Sequence, residues 1–395
     1  MIEKPPMRLL RLSRNSVGLA AGLCALFCAL GVAVGFLWAN EWNPTAFFRI
    51  GDSYPHPGSL PADALVHRGE PGYDGQFFLA LAYDPGLRDP RTAASLDNPR
   101  YRARRILFPA LAHVLALGNA AWIPWILIAI NVLAVACLAA VVAPELAPGP
   151  PALLFVPLAF QGIWVSLLLS TADLLGVVFL LVALVLARRN QMPGAGAALL
   201  LAALTREIYL LQGLLLAADC ALAHRRRAAA TVLALQVPAL LWNVWVLVSV
   251  PAGTTGMESI GAPFGGIAQS ALHLLKSPWS ARNVYEAACF VMLLLAGAVL
   301  TAQCVRHWRS ARTVALFALP LLVILLLARV GILGYFAGSS RAFLGLFFLL
   351  WFLPAGPRLS SFRTALTAGS GVSSALFIGA RIVASLGVSW LTAAR

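Results

Sequence analysis

The sequence predicts an all-α polytopic membrane protein, and its composition, its apolar blocks and its charge placement all lead to this fold class. Of the 395 residues, 60% are hydrophobic and only 11% are charged, whereas roughly a quarter of the residues in a soluble domain are charged. A disordered chain is excluded by the same figures, because disorder requires low hydrophobicity and high charge. The mean hydropathy of +0.83 favours a chain that lies largely within a bilayer.

The apolar blocks predict roughly 9–11 transmembrane helices, since one spanning helix needs about 20 apolar residues. The first block, residues 17–39, meets this length and is too long for the apolar part of a cleavable signal peptide. The later blocks cover residues 106–117, 122–142, 152–187, 194–222, 229–250, 284–305, 313–336, 343–353 and 365–391. We therefore expect one transmembrane domain over residues 1–395, with residues 40–105 as its long polar connection.

Arginine clusters between the blocks predict the orientation of the chain. Cytoplasmic loops of membrane proteins carry an excess of Lys and Arg, so we expect Arg8, Arg11 and Arg14 near the N-terminus to be cytoplasmic. The later clusters expected on that side are residues 188–189, 225–227, 306–312 and 358–363. The segments left outside the inner (plasma) membrane are then residues 40–105, 143–151, 251–283 and 337–341 and the C-terminus. No basic run is interleaved with aromatic residues as a nucleic-acid groove would be, so no nucleic-acid partner is expected despite the net charge of +14.

Two apolar blocks do not fit as simple spans. Residues 152–187 are too long for one straight crossing and are interrupted by residues 170–173, which include Asp173. Residues 194–222 lie between two arginine clusters that both favour the cytoplasm, so this block must enter the membrane and return. Its middle is marked by Thr205, Arg206 and Glu207. Broken backbone at membrane depth is tolerated only against protein or a water-filled cavity, which predicts half-helices and a cavity beside Arg206.

The connection at residues 40–105 holds eight of the chain's 15 acidic residues. A connection of this length without regular structure is usually functional. Residues 76–83 form an apolar stretch that suits a short helix, and Asp74 directly precedes it. A carboxylate at this position can act as a general base towards a hydroxyl, or it can simply be the N-cap of the helix. Local spacing favours the cap and leaves both hypotheses open.

Charged residues within apolar blocks are costly and by default indicate function. Here they are Asp173, Arg206, Glu207, Arg329 and Arg381. The alternative is a structural role, in which these side chains pair with one another and hold helices together. Arg206 favours function, because a cation at a helix break suits an anionic ligand better than it suits packing.

The arginine cluster at residues 100–105 either binds phosphate and anionic lipid headgroups or anchors the chain at the membrane surface. No nucleotide-binding loop, zinc-protease motif or serine-hydrolase motif is present. The sequence therefore indicates no cofactor and leaves a requirement for a divalent metal open, and nucleotide-dependent catalysis and zinc proteolysis are not expected.

Three strings of the chain resemble the GT-C superfamily of integral membrane glycosyltransferases. Residues 73–78, YDGQFF, are similar to the Asp-x-x-aromatic-aromatic string of its bacterial and GPI-mannosyltransferase-like members. Residues 105–109, RILFP, resemble the Arg/Phe-x-Pro start of their second span, and residues 204–207, LTRE, resemble their Leu-Thr-Lys/Arg signature. The order of the strings adds to the resemblance. The acidic pair that usually follows the first span is unclear here, because Glu41 and Asp52 compete for that place.

The resemblance implies an inverting transfer of a sugar from a polyprenyl-phosphate donor to a hydroxyl acceptor at the outer membrane face. The acceptor would be a lipid, a glycan or a protein, and no cofactor would be needed. Asp74 would be the catalytic base, with Asp52 as the reserve. Arg206 would hold the donor phosphate, assisted by Arg104 or Arg105, since a guanidinium matches phosphate oxygens bidentately. The residues implied to bind substrate or phosphate are Tyr73, Gln76, Arg104, Arg105, Arg206 and Glu207.

The competing hypothesis is a multi-span transporter or lipid flippase of the cell envelope. Transporters also use broken half-helices around a site near the middle of the membrane, and Arg206 with Asp173 could form an ion-coupled site. Against this, the sequence contains no internal repeat of its spans, and transporters seldom carry a long acidic first connection.

Overall fold

The computed structural model describes residues 14–146, 151–253, 260–354 and 356–386, and its regular structure is almost entirely helical. The helices are α1 (Arg14–Ala39), α2 (Asp74–Tyr83), α3 (Pro90–Ala94), α4 (Pro99–Ala103), α5 (Leu107–Leu115), α6 (Ile123–Leu146), α7 (Gln161–Leu168), α8 (Asp173–Arg188), α9 (Met192–Thr205), α10 (Tyr209–Leu222), α11 (Arg226–Ser249), α12 (Gly265–Lys276), α13 (Ala281–Arg306), α14 (Trp308–Leu327), α15 (Val330–Leu333), α16 (Phe336–Ala342), α17 (Leu344–Leu349) and α18 (Pro357–Ser385). Short 3₁₀ turns lie at Pro44–Phe48, Ala120–Trp122, Pro151–Leu158 and Leu350–Phe352. Two parallel strands of two residues each, β1 (Ile50–Gly51) and β2 (Val66–His67), pair within the connection after α1.

Six helices in the described ranges are long and apolar enough to cross a membrane. They lie at Asn15–Ala39, Ala120–Leu146, Arg226–Ser249, Ala281–Arg306, Trp308–Leu327 and Pro357–Ser385. Their faces that point away from the bundle carry large apolar side chains, such as Phe27, Leu241 and Leu376, each more than half exposed. Such side chains suit contact with lipid, so the predicted all-α polytopic membrane fold is confirmed.

Both predicted interruptions of apolar blocks are present. In the first, α7 ends at Leu168 and α8 begins at Asp173. In the second, α9 ends at Thr205 and α10 begins at Tyr209. The sulfur atoms of Met192 at the start of α9 and Cys220 near the end of α10 are 3.9 Å apart. The α9–α10 pair therefore runs in one direction and returns, with Arg206 at its turning point, as the sequence predicts.

Several of the arginine clusters meet at one end of the bundle, which we call the arginine end. Glu145 at the end of α6 lies 3.5 Å from both Arg188 and Arg189 at the end of α8. On the neighbouring helices, Arg312 of α14 pairs with Asp219 of α10. The expectation that residues 143–151 and residues 188–189 lie on opposite sides is therefore wrong at Glu145. Of the N-terminal arginines expected in the cytoplasm, Arg14 is the first residue of α1. Arg8, Arg11 and residues 387–395, expected outside, lie beyond the described residues.

The connection after α1 covers the opposite end of the bundle through α2. Residues 75–82 of this helix are buried, and the rings of Phe78 and Phe108 meet edge to face at 5.8 Å. Gly75 lies so close to the break between α7 and α8 that a Cβ atom there would overlap the carbonyl oxygen of Leu169. Glycine therefore lets the start of α2, with Asp74, approach the start of α8, with Asp173.

Candidate functional site

A cleft of about 350 Å³ lies at the end of the bundle opposite the arginine end. It forms where the start of α2, the helices α4, α15 and α16, and the α9–α10 break meet. Its charged and aromatic lining residues are Tyr54, Tyr73, Asp74, Phe77, Asp97, Tyr101, Arg102, Arg105, Arg206, Arg329, Tyr335 and Arg341. Among the described lining residues, five are arginines, which makes the cleft a candidate site for an anionic ligand.

Charged side chains at the cleft form a continuous row of alternating acids and arginines, which we call the ion-pair chain. In order along it are Asp97, Arg102, Asp74, Arg341, Asp173 and Arg206. The row joins the connection after α1 to α16, to the start of α8 and to the α9–α10 break. Each inner member contacts two members of opposite charge, so the row is a single network.

Arg102 holds the outer part of the ion-pair chain. Its Nε and Nη2 atoms donate to the two carboxylate oxygens of Asp97 at 2.7 and 2.6 Å, a bidentate arrangement. The same Nη2 atom lies 2.9 Å from Oδ1 of Asp74. The guanidinium also lies over the ring of Phe77, 4.4 Å from its centroid. Asp97 and Phe77 thus fix Arg102 where it reaches Asp74.

Arg341 is the centre of the ion-pair chain and uses all three of its nitrogen atoms. Nε donates to the hydroxyl of Tyr73 at 2.9 Å, Nη1 donates to Asp173 at 2.5 Å, and Nη2 donates to Asp74. The planar guanidinium suits such a role, because its donors point in fixed directions. Arg341 thereby ties α16 to both α2 and α8.

Arg206 occupies the inner end of the ion-pair chain at the α9–α10 break. Its Nη1 atom lies 3.0 Å from Asp173 and donates to the backbone carbonyl of Ala342 at 2.8 Å. Its Nε atom is buried and has no hydrogen-bond acceptor in the described part of the chain, and the same is true of Nη1 of Arg102. Buried donors are nearly always paired in proteins, so these two N–H groups indicate a ligand with acceptor oxygens.

Arg105 and Glu207 form a second ion pair beside this row. Nε of Arg105 lies 3.2 Å from a carboxylate oxygen of Glu207, and its Nη2 atom donates to the hydroxyl of Tyr101. Arg105 lines the cleft, whereas Glu207 reaches it only through Arg105. Glu207 is therefore placed to orient Arg105.

Asp74 is the first residue of α2, and the N-cap position belongs to Tyr73. The cap interpretation of Asp74 is therefore wrong, and its carboxylate contacts arginines instead. Burial alone would raise the pKa of the Asp74 carboxyl, but the charges of Arg102 and Arg341 outweigh it and hold this pKa well below its usual range. Because a carboxylate with such a low pKa is a weak base, Asp74 accepts protons poorly in this arrangement.

Besides Glu207, three of the residues predicted for the site do not line the cleft. Asp52 is exposed and accepts a hydrogen bond from the backbone N–H of Gly69 at 2.9 Å, so it does not join Asp74 as a second base. Gln76 is buried and bridges Gly51 and Pro71, which fixes the turn before α2. Arg104 follows the end of α4 and is not among the residues that line the cleft.

Arg341 was missed by sequence analysis, and Arg102 was included only as a member of the cluster at residues 100–105. Arg102 takes the place predicted for Arg104, because α4 ends at Ala103 and turns Arg102 and Arg105 towards the cleft. Arg341 was read as part of a connection between two spans. Its signal was a single charge between two apolar blocks, the same signal that identified Arg206.

The other charged residues of the apolar blocks divide between the cleft and the helix packing. Arg329 lines the cleft beside α15. Arg381 of α18 instead lies over the ring of Phe36, 5.1 Å from its centroid, and does not line the cleft. No three His, Cys, Asp or Glu side chains are grouped as metal ligands within the described ranges.

The cleft thus combines one carboxylate at the start of a helix with several fixed guanidinium groups. Such a set can bind a phosphate group and can move a proton between Asp74 and a nearby hydroxyl. Comparison of the chain with protein-family models, with curated proteins and with solved structures found no match.

Proposed function

We propose that the protein is an integral membrane glycosyltransferase of the GT-C type that transfers a sugar from a polyprenyl-phosphate donor to a hydroxyl acceptor. The observation that carries the proposal is the pair of buried guanidinium N–H groups without an acceptor, on Arg102 and Arg206, in a cleft that also contains Asp74. These donors call for an anionic group, and the carboxylate of Asp74 lies beside them as the proposed proton acceptor.

The charge of the site favours a single phosphodiester. Five arginines line the cleft. Four carboxylates lie among them, those of Asp74, Asp97, Asp173 and Glu207. These carboxylates balance most of the positive charge, which suits the single negative charge of a phosphodiester better than the two charges of a pyrophosphate. We therefore assign the donor as a monophosphate-linked sugar.

The size of the cleft favours a small sugar on that donor. Ligand pockets commonly measure roughly 300–1,000 Å³, and a volume of about 350 Å³ lies at the lower end of that range. It suits one monosaccharide with its phosphate rather than an oligosaccharide headgroup. The polyprenyl chain would remain in the membrane beside the bundle.

In the proposed reaction the acceptor hydroxyl oxygen attacks the anomeric carbon of the sugar from the side opposite the phosphate. The bond between that carbon and the phosphate oxygen breaks, and the lipid phosphate leaves with the bonding electrons, so the configuration inverts. The proton of the hydroxyl passes to Asp74. The guanidinium groups of Arg102, Arg206 and Arg341 stabilise the additional negative charge of the leaving phosphate.

The outer face of an inner (plasma) membrane is the side we assign to the cleft. The grouping of Arg188, Arg189 and Arg312 at the opposite end of the bundle supports this orientation, because cytoplasmic ends carry the excess of arginine. The acceptor would then be a lipid, a glycan or a protein of the cell envelope.

The test is a transfer assay with the purified protein reconstituted in lipid vesicles. Polyprenyl phosphates carrying radiolabelled hexoses or pentoses are supplied together with lipid and glycan acceptors, and labelled products are separated by chromatography. Asp74→Asn should reduce transfer by about 10²–10⁴-fold, as expected for loss of a positioned base. The matched control is Asp52→Asn, an exposed acid of the same connection that should leave transfer unchanged.

Two outcomes would contradict the proposal. If Asp74→Asn keeps most of the transfer activity while its thermal stability is unchanged, Asp74 is not the base. If the labelled donor crosses the vesicle membrane and no product forms, the transporter or flippase hypothesis replaces the transferase.

A further inference from the structure

We propose that the phosphate group of the donor releases Asp74 from Arg102 and Arg341, so that Asp74 accepts a proton only after the donor is in place. This inference rests on the proposed function and concerns the regulation of the same site. In the cleft, Asp74 is the carboxylate assigned as the base, yet it is bound by the guanidinium groups of Arg102 and Arg341.

Both oxygen atoms of Asp74 are engaged by cations. Oδ1 lies 2.9 Å from Nη2 of Arg102, and Oδ2 accepts from Nη2 of Arg341. Arg105 adds a third positive charge nearby. A carboxylate in this environment cannot take a hydroxyl proton efficiently, because each cation favours its charged form. Catalysis by Asp74 therefore requires that at least one of these contacts weakens.

The contacts of Asp74 are the ones best placed to exchange. Arg102 is also held bidentately by Asp97, and Arg341 is also held by Asp173. The side chain of Asp74 is 19% exposed, against 9% for Asp97 and 2% for Asp173. If the contacts of Asp74 with Arg102 and Arg341 break, each arginine is still paired with a more deeply buried carboxylate that fixes its position. The ion-pair chain can thus lose its middle acid without losing its arginines.

The free donor groups of the cleft lie on both sides of Asp74 in the ion-pair chain. Nη1 of Arg102 lies on one side and Nε of Arg206 on the other, and both are buried without an acceptor in the described ranges. A phosphodiester that accepts from these two atoms would lie along the row beside the three residues between them, Asp74, Arg341 and Asp173. Its oxygens would compete with Asp74 for the same guanidinium groups.

Two physical effects of the bound phosphate act in the same direction. Competition removes hydrogen bonds that favour the charged form of Asp74, and the negative charge of the phosphate opposes a second negative charge beside it. Burial of Asp74, which the arginines now outweigh, is then opposed less strongly and raises the proton affinity of the carboxylate further. The base is therefore weak in the empty cleft and strong in the donor complex.

This order of events has a consequence for the reaction. The acceptor hydroxyl loses its proton only when a sugar phosphate is present to be attacked. The same arginines first hold Asp74 and later hold the leaving phosphate, so one set of positive charges serves both stages.

The first experiment compares the pH dependence of transfer under two conditions. At low donor concentration, kcat/KM for the donor reports the protein before the donor binds, whereas kcat/KM for the acceptor at saturating donor reports the donor complex. The acidic limb should lie at higher pH in the donor complex, by about 1–3 pH units, the size of the effect of one nearby opposite charge on a carboxylate. Equal acidic limbs in an active protein would overturn the release of Asp74 and leave the transferase intact.

The second experiment needs no turnover and separates the two proposals. A methyl phosphodiester of a short polyprenol, which carries no sugar and no titrating proton, is added at about pH 4, near the ordinary pKa of an aspartate. Calorimetry in two buffers of different ionisation enthalpy measures proton uptake on binding. We expect uptake by the native protein and by Asp52→Asn, and none by Asp74→Asn.

The results of the second experiment are decisive for the inference. Binding without proton uptake by the native protein would show that Asp74 is not released, even if transfer occurs. Equal uptake by the native protein and by Asp74→Asn would assign the proton to another group and would also overturn the proposal. Failure of the phosphodiester to bind would contradict both the release and the proposed donor. Uptake that depends on Asp74, combined with no transfer of any sugar, would support the release while contradicting the transferase.

Discussion

Replacing Arg341 by alanine should destabilise the protein more than replacing any arginine of the arginine end. Arg341 is 8% exposed and donates to Asp173, Asp74 and Tyr73. Each lost hydrogen bond to a charged partner costs about 1.5–3 kcal/mol, and breaking a buried ion pair costs about 3–5 kcal/mol. Because each acid keeps one other arginine, we expect a loss of about 3–5 kcal/mol and not the sum of all contacts.

The matched control is Arg312→Ala. Arg312 also pairs with one aspartate, Asp219, but the two side chains are 45% and 23% exposed. Ion pairs at exposed positions contribute about 0–1 kcal/mol, so this variant should lose at most that amount. The measurement is unfolding of each purified variant in mixed detergent micelles, followed by far-ultraviolet circular dichroism.

Arg341→Lys provides an intermediate case. It keeps the charge but replaces three fixed donor directions by one flexible ammonium group, so it should recover part of the stability lost in Arg341→Ala. If Arg341→Ala loses no more stability than Arg312→Ala, the contacts of Arg341 do not hold the cleft together. This result would refute a stabilising role of the ion-pair chain.

Three further predictions test other parts of the structure. Gly75→Ala should lower the free energy of unfolding by about 1–3 kcal/mol, because its Cβ would overlap the carbonyl oxygen of Leu169. In Gly35→Ala, the control, the new Cβ meets no atom within 4 Å, so the same unfolding assay should show no loss of stability. Arg206→Ala should weaken binding of the phosphodiester by about 1.5–3 kcal/mol, roughly ten- to a hundredfold in Kd; unchanged affinity in a folded variant would give Arg206 a purely structural role. A cysteine introduced at the exposed Ser59 should react with a membrane-impermeant thiol reagent in intact cells; reaction only after lysis would reverse the proposed orientation.

The helix breaks could be predicted from sequence because their signals are local. Residues 194–222 are too short to cross and return as two full spans, and the arginine clusters on both sides require the return. The sequence alone therefore predicts that Arg206 lies at the turning point of this block. Asp74 was equally visible, since it precedes a short apolar helix and is followed by glycine. These features depend on neighbouring residues, and the structure contains them.

The partners of these residues could not be predicted, because they come from distant parts of the chain. Asp74 and Arg341 are separated by 267 positions, and no periodicity or spacing carries information over that distance. The choice between Arg102 and Arg104 depended on the phase of a helix only five residues long, α4. A pattern that short does not determine which side chains face the same way. Asp52 was a plausible acid by position, but its backbone contact with Gly69 occupies it locally.

The long separations within the ion-pair chain also bear on how the protein is made. Synthesis proceeds from the N-terminus, so Asp74 and Asp173 are inserted well before Arg341 emerges from the ribosome. Until then, these acids have only Arg102 and Arg206 as partners in the row, and α16 is absent from the wall of the cleft. Completion of the cleft is therefore a late event of biogenesis. In a nascent chain that stalls before Arg341, the row has three acids and only two arginines, a feature by which membrane quality control could distinguish unfinished copies from finished ones.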